Sequence, residues 1–499
     1  MPDSGLVLGA DVGTTGCRVC LIDRSGRAVA RSHAPYRPDR PRPGWAEQEA
    51  SVWWRAFCRA AREAGAQAAL GRVSCVCVTG QSTALLPLDK AGKPLRKAII
   101  WQDTRAQPEC DQVATALGAE AVWSVTGMRP AAFLLWPKVI WYMREQPDLF
   151  GRTALLGTVS GFVTRRLCGR TILSRAEIMG YPMNLETGEW WQEMCAQVRY
   201  PTGLTPPVVE PHELVGAVTA AAARETGLAE RVPVAAGGMD TACAALAVGV
   251  TREGDAFEVS GTSGGIGVVA SRPSASPALG VAHHVVPGLY INHAPMAAAG
   301  ASLQWLRDVL RAPPRNGASV PDRNGYELME EEASSLGPAP TGLLFLPYLA
   351  GERAPIWDAR ARGALVGLGV DTTRAQIVKA VMEGVAYGLR HNLEAMLAAG
   401  LRPDRLTSCG GGSRSPCWTQ LKADVLGVYF IVHSDGRGAA FGAALLGGLA
   451  IHAWELPDLE RWAAEAQCTV YSPRPALTEQ YREHLRRYCA LYPLLKDVF

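Results

Sequence analysis

The residues best suited to chemistry lie near the start of the chain, in Leu6 to Asp23, LVLGADVGTTGCRVCLID. Glycine at Gly13 lets the backbone approach a ligand closely. Thr14 and Thr15 add hydroxyl donors to the N–H groups of a turn, and Arg18 adds positive charge, so together these residues suit phosphate oxygens. A carboxylate beside such a cradle is useful when a cation lies between the two, and Mg2+ takes one or two carboxylates with water and phosphate oxygens. Asp11 is therefore the candidate metal residue. Taken alone, the pattern also fits an ordinary Asp/Gly/Thr turn. The element that must carry it is a hairpin: Leu6 to Ala10 and Cys17 to Ile22 read as strands.

The pattern recurs. Asp255 to Val269, DAFEVSGTSGGIGVV, again reads strand, turn, strand, and Gly261-Thr262-Ser263-Gly264 begins 248 positions after Gly13 (261 minus 13), half of 499. Only the first copy has the aspartate. Two such hairpins suggest two homologous lobes clasping one nucleotide, an arrangement that resembles the actin-like ATPase fold of sugar kinases, actin and heat-shock chaperone ATPases. The expected class is α/β, two-lobed and ribonuclease H-like, with duplicated domains at 1–250 and 251–499 around a central cleft.

Asp240 closes an apolar strand, Val232 to Ala236, that meets the pair Gly237-Gly238, and an apolar helical stretch, TACAALAV, follows it. The position suits a helix N-cap. It equally suits a catalytic base, kept ionised by the helix N-terminus and approached past glycines. The base is the preferred reading, because Asp240 directly precedes the second hairpin. Phosphoryl transfer needs an in-line hydroxyl, a base near its proton and charges on the β and γ phosphates. Asp240, Asp11 with Mg2+, Thr15, Arg18 and Thr262 would supply them.

Two other strand ends present polar side chains where ligands of open α/β sheets sit. RVSCVCVT, Arg72 to Thr79, leads into Gly80-Gln81-Ser82, and Ala98 to Trp101 leads into Gln102-Asp103-Thr104-Arg105. An exposed Trp101 with Asp103 suits a hydroxylated substrate, the ring covering a carbon face and the carboxylate taking hydroxyl protons. Phe133 could reach the same substrate, although an aromatic in a helical stretch is more often core. In the second half, a helix from Ala297 to Asp308 is entered through small residues, with Gly300 where a nucleotide could lie close to backbone. Gly410-Gly411-Gly412 and Ser413 follow the strand from Leu406 and suit adenine or ribose. Leu343 to Leu368 reads as a structured loop tying the lobes, Gly438 to Gly448 as a small-residue packing helix, and the tail from Leu459 as amphipathic helix.

Composition agrees with a small-molecule enzyme. Hydrophobic residues are 48% and charged residues 19%, and a net charge of +3 without a dense basic run points to neither nucleic acid nor membrane. No apolar stretch reaches the ~18 residues of a membrane span, so a cytoplasmic protein is expected. The 13 cysteines are an odd number scattered through apolar segments, which suits reduced thiols.

Over nearly its whole length the chain resembles the FGGY carbohydrate kinases, the group that includes xylulokinase, gluconokinase and glycerol kinase. The shared motifs are Asp11-x-Gly13-Thr14-Thr15, Gly44-Trp45, Trp101-x-Asp103-x-Arg105, Gly238-x-Asp240, Ser260-Gly261-Thr262-Ser263, Gly300-Ala301-Ser302-x-Gln304-Trp305, Gly351-Glu352-Arg353-x-Pro355 and Gly410-Gly411-Gly412. The resemblance implies ATP and Mg2+ as cofactors and a sugar or polyol as acceptor. It makes Asp11 the metal-associated residue, and Thr14, Thr15, Arg18 and Thr262 phosphate contacts. Gly300, Gln304 and the three glycines border the nucleoside, Asp240 is the base, and Gln81, Ser82, Trp101, Asp103 and Phe133 line the substrate site. A homodimer is the expected assembly. Glycerol kinases carry Arg-Glu after the Gln of the substrate loop and xylulokinases a His two residues after it, whereas here the loop is Gln81-Ser82-Thr83. A ketose or longer polyol is therefore expected, with glycerol or gluconate as alternatives.

Two rival readings are weaker. Gly261-Thr262-Ser263-Gly264-Gly265 fits the hydrolase G-x-S-x-G, but an elbow turns into helix, and Ile266 to Ala270 reads as strand. A chaperone-like ATPase would need neither a sugar loop nor a base aimed at a second substrate.

Overall fold

The computed structural model describes residues 5–310 and 325–499. Leu6–Val12, Gly16–Ile22 and Ala28–Pro35 form an antiparallel meander, with Asp11 opposite Arg18 in the register. Val73–Gly80 then pairs parallel to Leu6–Val12 and Pro233–Ala235 parallel to Val73–Gly80, with Leu214–Ala217 as an antiparallel edge of the six-stranded sheet. The parallel strands are covered on both faces, which is why they read as near-continuous apolar runs.

The second half repeats the scheme. Ala256–Ser260, Gly264–Ala270 and Tyr290–Met296 form the meander, and Arg405–Cys409 and Tyr429–His433 extend it in parallel. Gly280–His283 and Cys468–Tyr471 complete the seven strands. The duplication expected from the two Gly-Thr turns is thus a duplication of topology. The tail differs from expectation: it holds two helices, Leu456–Glu465 and Pro475–Leu495, separated by the edge strand Cys468–Tyr471. That strand alternates too little to show a buried face, and most of it is exposed.

Helix Ala50–Gly65 buries Trp53, Trp54, Phe57, Ala60 and Ala64 against the first meander, which is the face its helical spacing marks out. Helix Arg374–Ala398, started by a Thr373/Gln376 capping box, organises the core of the second half. Between the two lies a third core, built on Ala439–Ala450 and Asp240–Ala247. Ala439–Ala450 consists almost wholly of small and apolar residues and is buried nearly all round. It packs under Leu6–Val12 and Val73–Gly80 as well as on Asp240–Ala247, so a helix that follows the parallel strand Tyr429–His433 of the second sheet is seated beneath the first. A methyl group on Gly9 would come 2.0 Å from the Ala440 carbonyl, so only glycine fits there. Among the described residues, no helix is long and apolar enough to cross a membrane.

Candidate active site

Asp11 lies within Leu6–Val12 rather than after it, one residue from the strand's end. Its Oδ1 is buried without a hydrogen-bond partner, and its Oδ2 is 3.9 Å from the Arg18 guanidinium. Burial, assisted by the Asp240 charge and opposed by Arg18, pushes the carboxyl up to about 7. At the tip, Gly13 N–H donates to Gly16 O at 3.0 Å, and Thr15 and Arg18 stand exposed.

Thr14 does not present a free hydroxyl. It donates to Gln81 Oε1 at 3.3 Å and accepts from Trp101 Nε1 at 2.8 Å, while Gln48 donates to its carbonyl at 2.7 Å. Thr14 ties the hairpin tip to the strand ends that carry Gln81 and Trp101. Gln81 is buried, and its amide donates to Gln48 Oε1 at 2.7 Å. Asp103 likewise faces inward. Its Oδ1 accepts from the backbone and Nε of Arg105, and its Oδ2 from Arg105 Nη2 at 2.7 Å and Ala46 N–H at 2.6 Å. Its oxygens are thus engaged, because Arg105 folds back over Trp45. In this structure these residues brace the strand ends that carry Gln81 and Trp101.

What remains toward the cleft is Ser82, Trp101 and Phe133. Ser82 Oγ is buried without a partner, and Trp101 and Phe133 are half-buried. The loop is held from below by Lys138, whose ammonium donates to the carbonyls of Thr83 and Phe133, each at 2.8 Å. Burial pulls Lys138 down to about 7. Thr83 sits at φ 60°, a conformation that costs a β-branched residue energy and persists because its surroundings hold it. No spacing in the sequence marks Lys138 for this role.

Asp240 is the first residue of Asp240–Ala247, with Met239 as its N-cap, so it is not itself the cap. Its Oδ1 accepts from the backbone N–H of Thr241 at 2.8 Å and from the Thr241 hydroxyl at 3.3 Å. Burial raises it to about 6, against the Thr241 hydrogen bonds. A second buried carboxylate, Glu177, is held by the Ser160 hydroxyl at 3.2 Å from both oxygens, and burial followed by the Asp240 charge lifts it to about 7. Glu177 lies in the irregular turn Arg175–Gly180, where no motif could have pointed to it.

In the second half, the tip carbonyls of Gly261 and Thr262 accept from Gly300 N–H at 2.9 Å and Ala301 N–H at 3.0 Å, which fixes the hairpin to the start of helix Gly300–Leu310. Gly300 is required because a side chain would meet Gly261 O at 2.5 Å. The close approach at Gly300 is to the hairpin. Gly410 and Gly412 are likewise packed on Ser260, and Ser413 Oγ donates to Gly410 O at 2.8 Å, so this serine closes its own turn. Gly411 is the open member, with no atom within 4 Å of a side chain built there, and Gln304 is exposed on its helix. Below this wall, the buried Glu258 carboxylate accepts from Lys422 at 3.0 Å and from Ser260 and Ser408.

The first hairpin's carboxylate thus feels the charge of the helix-start carboxylate Asp240, and the half-buried rings of Trp101 and Phe133 share one neighbour, Arg353. The models of the FGGY family of carbohydrate kinases match residues 6–247 (N-terminal domain) and 256–451 (C-terminal domain). A xylulose kinase of Staphylococcus epidermidis is 30% identical over 504 residues, covering 99% of this chain and 97% of that protein. A glycerol kinase of Deinococcus radiodurans is 28% identical, covering 98% and 96%. The crystal structure of xylulose kinase from Rhodospirillum rubrum superposes with a TM-score of 0.83 at 30% identity, over 99% of each chain. The chain belongs to the FGGY family of carbohydrate kinases. It is accordingly an ATP-dependent sugar kinase, with the α/β, duplicated fold expected from its hairpins.

Proposed function

We propose that the acceptor is a ketose of five or six carbons, or a polyol of similar length, phosphorylated on a terminal hydroxyl. The observations that carry this are the two half-buried rings, Trp101 and Phe133, and the uncommitted Ser82 hydroxyl in a Gln81-Ser82-Thr83 loop that holds no charged pair. Aromatic faces suit the carbon side of a sugar chain, and short uncharged residues leave room for its length. Glycerol offers only hydroxyls on three carbons, so a site for it needs strongly paired donors and acceptors, which Ser82 and Thr83 cannot supply. The xylulose kinases among the relatives agree with a ketose.

Asp240 is read as the base. It takes the proton of the acceptor hydroxyl, the oxygen attacks the γ-phosphorus in line, and the bond to the β–γ bridging oxygen breaks to release ADP. The orphaned Asp11 Oδ1 fits a cation, and Asp11 would hold Mg2+ beside the phosphates. When bound, Mg2+ neutralises charge on the β and γ phosphate oxygens. Thr15, Arg18 and Thr262 would flank the same phosphates, and Gly411 and Gln304 the nucleoside. Halves dividing at 1–250 and 251–499, and a cytoplasmic enzyme, complete the reading.

The test is an ADP-release screen over pentuloses, hexuloses, polyols, sugar acids and glycerol. The expected outcome is negligible ATP turnover without acceptor and the highest kcat/KM with a ketose or long polyol. A best kcat/KM with glycerol would overturn the substrate reading, and full turnover without any acceptor would overturn the base assignment.

A further inference from the structure

The Gly351-Glu352-Arg353 loop belongs to the second half, yet its arginine reaches the sugar-side wall of the first. The Arg353 guanidinium stands 4.2 Å from the centre of the Phe133 ring and 5.0 Å from that of Trp101. Among the described residues, it makes no hydrogen bond and no ion pair, although arginine carries five donors. A part-buried cation left in that state costs free energy unless something else completes it. Stacking on two rings recovers some of that cost and leaves the donor edge of the fork unused.

The loop that delivers it is fixed. Glu352 is buried, and its Oε1 accepts from the backbone N–H of Arg353 at 2.7 Å and of Ala297 at 2.8 Å. Ala297 lies just before helix Gly300–Leu310, so the loop is tied to the hairpin-supporting segment of its own half. Ala354 N–H donates to Pro295 O at 3.1 Å, a second anchor to the same strand end. A third observation comes from His293 on Tyr290–Met296. Its Nε2 is buried without a partner, and burial together with the nearby Arg353 charge pulls the imidazole down to about 4. His293 Nε2 faces Gly280 of the neighbouring strand, so it does not pair with Arg353, and the guanidinium keeps only its two ring contacts.

We propose that Arg353 is a sugar-binding residue supplied by the second half, its guanidinium held on Trp101 and Phe133 and donating its free edge to acceptor oxygens of the carbohydrate. That role rests on Trp101 and Phe133 bordering the carbohydrate site, as read above, but not on which carbohydrate fills it. Because a guanidinium only donates, it selects molecules with hydroxyl or carbonyl oxygens at that end and gives nothing to a deoxygenated one. Because it comes from the half that carries the second hairpin, sugar binding and the seating of that half on the first are coupled.

The experiment takes whichever acceptor the wild-type enzyme uses best and compares wild type with Arg353→Met and Arg353→Lys. Steady-state kinetics in both substrates, ADP binding and thermal melting are read for each. Arg353→Met should lose about 10- to 100-fold in kcat/KM for the acceptor, the worth of hydrogen bonds to a charged group. Its KM for ATP and affinity for ADP should stay within about twofold of wild type. Arg353→Lys should fall between, since it keeps the charge and loses the fork. Unchanged acceptor kinetics in Arg353→Met overturn the proposal, as does a loss carried in the nucleotide terms, which would make Arg353 a phosphate contact. If Arg353→Met does not fold, Arg353→Lys decides by the same two readouts. A best acceptor other than a ketose or polyol would revise the substrate class and leave this comparison intact.

Discussion

A methyl group placed on Gly442 would come 1.7 Å from the carbonyl oxygen of Cys243, so helix Ala439–Ala450 touches helix Asp240–Ala247 backbone to backbone. Cys243 sits three residues beyond Asp240 in a helix of eight residues. Backbone cannot yield as a side chain does, so Gly442→Ala must push the helices apart. The expected cost is about 1–3 kcal/mol, as for overpacking of a close-packed interior. Because the displaced helix begins with the base, kcat should fall as well. Urea unfolding and initial rates check both, and a variant with wild-type stability and kcat would show that the contact is not rigid.

Asp240→Asn should lose roughly 10²- to 10⁴-fold in turnover, the usual worth of a general base, with ADP binding retained. The sign of the pH effect follows from a carboxyl raised to about 6. Below that value the base is protonated and inactive; above it the base is ionised. The wild-type kcat/KM should therefore fall as pH drops through about 6, approaching tenfold per unit, and level off above. A profile flat from pH 5 to 8 on the same acceptor would contradict the assignment.

Lys138 joins the Gln81-Ser82-Thr83 loop to Phe133 through the carbonyls of Thr83 and Phe133. Lys138→Met keeps the stem and removes the donors. The KM for the acceptor should rise roughly tenfold, about the value of one hydrogen bond to a charged group, while the KM for ATP stays put. Kinetics in each substrate separately distinguish this from a general loss of folded enzyme, which would lower kcat for both alike.

The fold was legible because its signals are local and repeated. Two strand–Gly-Thr–strand patterns half a chain apart are short-range, and the helix faces follow from spacing alone. The hairpin carboxylate and the helix-start carboxylate were legible for the same reason, each being placed by the strand or helix it terminates. The partners of Gln81, Asp103 and Thr14 were not, because a polar residue at a strand end can turn either way. Here Gln48, Ala46 and Trp101, distant in sequence, and the neighbouring Arg105 engage their side chains. Gly300 and Gly410 were read as close approach to a ligand, and the close approach is to Gly261 and Ser260. Composition says that a Cβ is forbidden but not by what. Glu177 carries no local signal, and the Gly351-Glu352-Arg353 motif marks its loop without saying what the arginine meets, since tertiary packing decides both.

The last prediction concerns Glu258 and Lys422, which are fully buried and 3.0 Å apart. Glu258 also accepts from Ser260 and Ser408, and Lys422 donates to Ser260 Oγ at 2.9 Å, so the pair fixes the residue that precedes the Gly261-Thr262 tip. Gly412 packs on the same Ser260 side chain, and Gly410 on its carbonyl. Lys422→Met leaves a buried carboxylate with only hydroxyl partners, which should cost about 3–5 kcal/mol. Glu258→Gln combined with Lys422→Met removes both charges and should recover a large part of that loss. Because Ser260 sits beneath Gly410 and Gly412, next to the segment proposed to border the nucleoside, the KM for ATP should rise more than the KM for the acceptor in the single variant. Unfolding of the two variants beside wild type, with both KM values, tests the pair. Equal destabilisation by the single and double variants would mean that packing, and not the unpaired charge, sets the cost.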